Sequence, residues 1–221
     1  MTKKQKQQKL RIRGGLLPEQ YLNETEQKKL LRHVKARADL ARARGSQRGV
    51  IDEMIVVLLL NTGLRASELC NLRIADVPPA HGKSVIVVRK GKRGIVRAVV
   101  IGPHLQDMIK RFIKFYRKNA KTSYRLLQSE WGTALSYFSL WSKIHRIGNA
   151  AGIKKLHPHV LRHTYLTRLY NIEHDLRFVQ DQAGHADPKT TAIYAQTDQT
   201  ARRRQVEALE ASLDAANPKP G

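Results

Sequence analysis

Arg65 and Arg162 are suited to holding a phosphate, because each guanidinium offers a planar fork of donors that matches two phosphate oxygens. His159 stands three residues before Arg162 and four before His163, so a helix would carry all three on neighbouring positions of one face. Such a face, joined by Arg65, would grip the non-bridging oxygens of a phosphodiester and offset the charge that grows as phosphorus becomes pentavalent. Tyrosine, with an ordinary pKa of about 10, attacks phosphorus at neutral pH only beside a base or in strongly cationic surroundings. A site built of Arg, His and Lys provides both.

Each residue also has a plainer reading when taken alone. Arg65 could be a surface residue at a helix start, and a lone Tyr194 would be a half-buried structural tyrosine. Lys90 has Lys83, Arg89, Lys92 and Arg93 for neighbours, and a basic loop of this kind can simply touch phosphates. His185, before Asp187-Pro188, could merely precede a helix cap. His157, His159 and His163 could be read as zinc ligands, but no Cys or well-placed carboxylate completes a site, so no metal is expected.

Four patterns occurring in order shift the balance. They are Thr62-Gly63-Leu64-Arg65-Ala66-Ser67-Glu68-Leu69, Lys90-Gly91, His157-Pro158-His159-Val160-Leu161-Arg162-His163, and Gly184-His185-Ala186-Asp187 leading to Thr190-Thr191-Ala192-Ile193-Tyr194. Together they resemble the tyrosine recombinase, or phage integrase, family, most closely its Xer-like members, from about Leu22 to Thr197. The resemblance implies a catalytic set of Arg65, Lys90, His159, Arg162, His185 and Tyr194. In that set Tyr194 becomes joined to a DNA 3′-phosphate, His159 handles its proton and His185 donates to the phosphate. Lys90 protonates the departing 5′-oxygen. His163 is left outside the set as a support for the fold or for a neighbouring side chain. Cations take the place of metal ions, so no cofactor is implied.

Composition agrees with a polyanionic partner. Forty-one Lys and Arg against eighteen Asp and Glu give the 221 residues a formal charge of +23. No apolar run approaches bilayer-spanning length and no amino-terminal segment has a signal-peptide core, so the expected setting is cytoplasmic and nucleoid-associated, in a prokaryote or encoded by a mobile element. Cys70, alone of its kind and set among leucines, reads as a small core residue.

The elements that must position these residues are mostly helices. Asn23 with Glu26 forms a capping-box pattern opening a helix to about Ala41. Val50 to Leu60 is a nearly all-apolar buried helix stopped by Asn61-Thr62-Gly63, and a short helix begins at Arg65. Val85–Val88 and Ile95–Ile101 should pair as a hairpin whose basic tip puts Arg89, Lys92 and Arg93 against DNA. Further helices are expected from Pro103 to about Phe115, from near Ala134 to Ala150, from Pro158 to Tyr170, from Asp175 to Ala183, from Asp187-Pro188 through Tyr194, and from about Gln199 to Leu213. The expected fold is therefore mainly α with a small antiparallel β-hairpin, the tyrosine recombinase catalytic domain. Residues 1–21 would form a basic flexible arm, 22–197 the catalytic domain, and 198–221 a helix and tail docking on a neighbouring protomer.

Two departures from the family matter. Only about twenty residues precede the matched region, where most integrases carry a separate helical clamp domain, so the chain is expected to be a fragment or one of the short single-domain relatives such as fimbrial-switch invertases. The hairpin tip lacks the usual Xer spacing of two lysines and an arginine, so its DNA contacts should differ. The expectation is a tetramer cutting and rejoining two double-stranded DNA sites, possible accessory DNA-bending proteins included. A non-cleaving DNA-binding regulator and a topoisomerase-like enzyme are the rivals.

Overall fold

The computed structural model describes residues 18–89, 96–129 and 131–184. Asn23 opens helix α1 (Glu24–Ala43): its side chain accepts from the Glu26 N–H at 2.9 Å, and the Glu26 carboxylate accepts from the Asn23 N–H at 2.9 Å. Both halves of the expected capping box are present. Helix α2 (Arg48–Thr62) is buried around its circumference from Gly49 to Leu60, as a mostly apolar helix must be when others surround it. It packs on α1 and on three later helices, α5 (Pro103–Tyr116), α6 (Tyr137–Ala150) and α7 (Pro158–Glu173). The two acids it carries are paired, Asp52 with Lys143 Nζ at 2.9 Å and Glu53 with the Arg42 guanidinium. Unpaired, each buried charge would destabilise the core by several kcal/mol, on the order of 3–5.

Gly63 ends α2 with φ of +59°, a conformation side chains disfavour, and a Cβ there would lie 2.5 Å from Tyr165 Cδ1. This turn releases the chain into α3 (Ala66–Asn71), whose first residue follows Arg65. A short helix, α4 (Pro78–His81), then leads to the antiparallel strands β1 (Val85–Arg89) and β2 (Val96–Val100). Their register runs from Val85 opposite Val100 to Arg89 opposite Val96, with Ile86, Val88 and Val99 turned into the core. Cys70 is buried, as expected.

Two boundaries differ from the sequence reading by three residues. Helix α6 begins at Tyr137 rather than near Ala134, because the Ser136 hydroxyl caps it by accepting from the Ser139 N–H at 3.0 Å, and Ala134 is instead bridged to Gln128. Helix α7 continues to Glu173, past Tyr170, and closes where His174 adopts φ of +53° and donates its N–H to the Tyr170 carbonyl at 2.7 Å. Helix α8 (Leu176–Ala183) has the expected bounds, with the Asp175 carboxylate accepting from the N–H groups of Arg177 and Phe178. It rests on α7 through a small separate cluster of Leu166, Val179 and Ala183, against which Tyr165 and Tyr170 pack.

Candidate DNA-cleavage site

Three arginines meet at the carboxyl end of α8. The last carbonyls of any helix lack partners within it and carry partial negative charge. Here Arg97 Nε donates to the Gln182 carbonyl at 3.3 Å, Arg162 Nη2 to that of Ala183 at 2.8 Å, and Arg65 Nη2 to that of Gly184 at 3.1 Å. Three consecutive carbonyls thus receive three guanidinium groups delivered by β2, α7 and the start of α3. Arg162 also donates to the Gly63 carbonyl, so the turn before Arg65 and the helix end before His185 share one buried cation, 4% exposed.

Arg65 itself is held by Glu68. The Glu68 carboxylate accepts from the Arg65 N–H at 2.8 Å and from Nη1 at 3.0 Å, while Arg97 reaches the same carboxylate with Nη1 at 2.7 Å and Nη2 at 3.0 Å. Burial alone would raise the Glu68 carboxyl, but the hydrogen bond from Arg97, that from the Arg65 backbone and the charges of both arginines outweigh it and hold the group below the usual carboxylate range. With the Glu68 and Gly184 contacts made, three of the five N–H donors on the Arg65 side chain have no partner among the described residues. These are the donors available to an anion.

Helix α7 contributes the histidines. His157 precedes Pro158 at its start, His159 is exposed in the first turn, and His163 is half-buried one turn on. Ring centroids are 6.3 Å apart for His157 and His159 and 6.4 Å apart for His159 and His163. Burial, then the neighbouring His159, Arg162 and His157, push the His163 imidazole down to about 4, so it is neutral at physiological pH. His157 is likewise lowered, by burial and by His159 and His145. Among the described residues no group of three His, Cys, Asp or Glu side chains could hold a metal ion.

The structure therefore brings Arg65 and Arg162 together at Gly184 and Ala183, with His159 on the helix that carries Arg162. Lys90, Lys92, Arg93, His185 and Tyr194 lie outside the described residues. Arg89 is anchored: its Nε donates to the buried Asp76 carboxylate at 2.6 Å, tying the end of β1 to the 3-10 turn at Ile74–Asp76. Sequence reasoning gave no role to Glu68, Arg97 or Gln182. Glu68 had a signal, since it stands three residues after Arg65 at a helix start, the spacing of a capping acid. Arg97 had one too, as a cation within an otherwise apolar strand.

A mainly helical domain with a two-stranded antiparallel sheet is the fold that this chain shares with solved recombinases. The pattern defining the phage integrase family matches residues 20–201, and the chain belongs to that family. It is 34% identical over 156 residues to the tyrosine recombinase XerA of Pyrococcus horikoshii, covering 71% of this chain and 54% of that protein. The crystal structure of XerA recombinase superposes with a TM-score of 0.70 at 30% identity, over 85% of this chain and 64% of that one. XerH site-specific recombinase bound to its difH substrate, in a pre-cleavage complex, superposes with a TM-score of 0.63 at 30% identity, over 80% of this chain and 50% of that one. The chain spans about half the length of the curated relatives it matches.

Proposed function

We propose that this chain cuts and rejoins DNA at specific sites through a covalent tyrosine intermediate. The observation that carries the reading is the convergence of Arg65 and Arg162, two side chains suited to gripping a phosphate, on the Gly184 and Ala183 carbonyls, the last two before His185 in the chain. The two guanidiniums hold the non-bridging oxygens of a DNA phosphate. The Tyr194 oxygen attacks phosphorus and gives up its proton to His159, a 3′-phosphotyrosine bond forms, and the 5′-oxygen leaves with a proton from Lys90 while His185 donates to the phosphate. Because the phosphodiester becomes a phosphotyrosine rather than being hydrolysed, a 5′-hydroxyl of another strand can reverse the step without a cofactor. XerH site-specific recombinase, solved bound to its difH substrate, supports DNA as the partner.

In this reading residues 22–197 act as the catalytic unit, 1–21 as a basic arm on the phosphate backbone, and 198–221 as a docking segment between protomers of a tetramer on two sites, in the nucleoid of a prokaryotic cell. Arg89, Lys92 and Arg93 add backbone contacts. Accessory DNA-bending proteins would assist where the sites need bending. The test is covalent capture: wild type and Tyr194→Phe are mixed with sheared source DNA in chelator and denatured, and DNA still attached to protein is sequenced. Adducts with wild type alone are expected. DNA binding by both without any adduct would overturn the proposal in favour of a non-cleaving regulator.

A further inference from the structure

We propose that Arg97 is a positioning residue, which sets the Arg65 guanidinium against the carboxyl end of α8 by binding Glu68 and the Gln182 carbonyl at once. The inference rests on the reading that Arg65 holds the reacting phosphate. Arg97 lies on β2 opposite Val88, and its three nitrogens all have partners: Nη1 and Nη2 on the two oxygens of Glu68, and Nε on the Gln182 carbonyl. It is 16% exposed and the Glu68 side chain 13%, so this is not a solvated surface pair of small consequence.

Two further contacts lock the same junction. Gln182 bonds both ways with β2, accepting from the Val100 N–H at 3.1 Å and donating to the Val100 carbonyl at 3.4 Å. Gly184 has φ of +63°, and a Cβ there would lie 2.6 Å from Arg97 Cδ and 2.7 Å from its Nε, so the backbone before His185 lies directly on the Arg97 side chain. One guanidinium therefore joins α3, β2 and the carboxyl end of α8, three segments far apart in the chain. Lysine could keep the charge but has neither the two-pronged fork nor the third donor on the same plane.

Two measurements test this on the full chain. The first needs no activity: amide hydrogen exchange of Arg97→Met in the absence of DNA should quicken about tenfold or more at 66–71 and at 176–184, with α1 and α2 unchanged. Unaltered exchange in either segment overturns the proposal. The second uses the duplex recovered by covalent capture, on which Arg97→Met should slow adduct formation about 100-fold at unchanged affinity, the size expected of a reactive group misplaced by an ångström.

Replacing a non-bridging oxygen of the cut phosphate by a methyl group removes the charge that Arg65 offsets. The loss caused by Arg65→Ala should shrink on that substrate, and the loss caused by Arg97→Met should shrink with it. If the Arg65→Ala defect persists there, the phosphate reading fails; if only the Arg97→Met defect persists, the positioning proposal fails and that reading stands. Arg97→Lys, which keeps the charge, should fall between wild type and the Met variant in both measurements. It carries the same comparison should Arg97→Met not fold, and full wild-type behaviour from it would overturn the proposal. Should wild type form no adduct, the exchange measurement decides.

Discussion

His163 gives the protein a defined sensitivity to acid. Its imidazole falls from 6.5 to about 4 on folding because it is buried and faces His159, Arg162 and His157. A group that binds its proton less readily when folded stabilises the fold fully above about pH 6.5, and that stabilisation is lost as pH falls from there through 4. The full difference corresponds to about 3 kcal/mol, and because the ring keeps part of its contact with solvent we expect about 2 kcal/mol between pH 7 and 4.5. In a domain of this size that is a fall in Tm of roughly 4–8 °C. The perturbation is His163→Gln, which cannot titrate. The assay is urea unfolding of both proteins at fixed ionic strength across that range, subtracting the variant's loss so that acids common to both cancel. Wild type should lose about 2 kcal/mol more than His163→Gln. Parallel curves would show that the ring takes up its proton at no cost in the folded state, and the argument from burial and neighbouring charge would be refuted.

Arg65→Ala and Arg162→Ala should each depress adduct formation by about 10²–10³-fold while leaving salt-dependent DNA binding largely intact, because their target is charge in the transition state; equal loss of binding and cleavage would contradict this. The two should differ in stability, since Arg162 is buried and its removal strands the Gly63 and Ala183 carbonyls, which implies about 2–4 kcal/mol in thermal or urea unfolding, against about 1 for the more exposed Arg65. Gly184→Ala should destabilise by about 1–3 kcal/mol in the same assay, combining a left-handed backbone with a clash on Arg97. Deleting residues 201–221 should weaken oligomer formation on DNA, read by sedimentation, more than binding to a single site, and unchanged assembly would rule out a docking role for that segment.

The elements were legible where local chemistry decides them. Asn23 with Glu26, the apolar run ended by Gly63, Pro103, Pro158 and Asp175 each mark a boundary through a cap, a left-handed turn or a fixed φ, and the structure places helix ends at or near them. The start of α6 was misplaced because Ala134 and Leu135 continue the helical apolar rhythm, whereas the Ser136 cap and the bridge from Gln128 to Ala134 depend on a loop with no periodicity. In the site, Arg65, His159 and Arg162 could be named because they sit in short motifs. The partnership of Arg97 with Glu68 could not, since it joins residues 29 apart through a strand register that side-chain pattern alone does not fix. The tie between Arg89 and Asp76 was hidden for the same reason: the two are brought together only by the fold.

The three arginines at the end of α8 grip peptide oxygens, not side chains. Every amino acid presents the same carbonyl, so positions 182 to 184 offer these contacts no partner identity that could change in step with Arg65, Arg97 or Arg162. Across related chains these three carbonyl contacts would leave no trace as correlated substitution, and among positions 183 and 184 their pressure would surface at Gly184, where the close-lying Arg97 leaves no room for a side chain. The hold of the three arginines on the end of α8 is thus written in main-chain geometry, inherited with the topology and silent in the alphabet of residues.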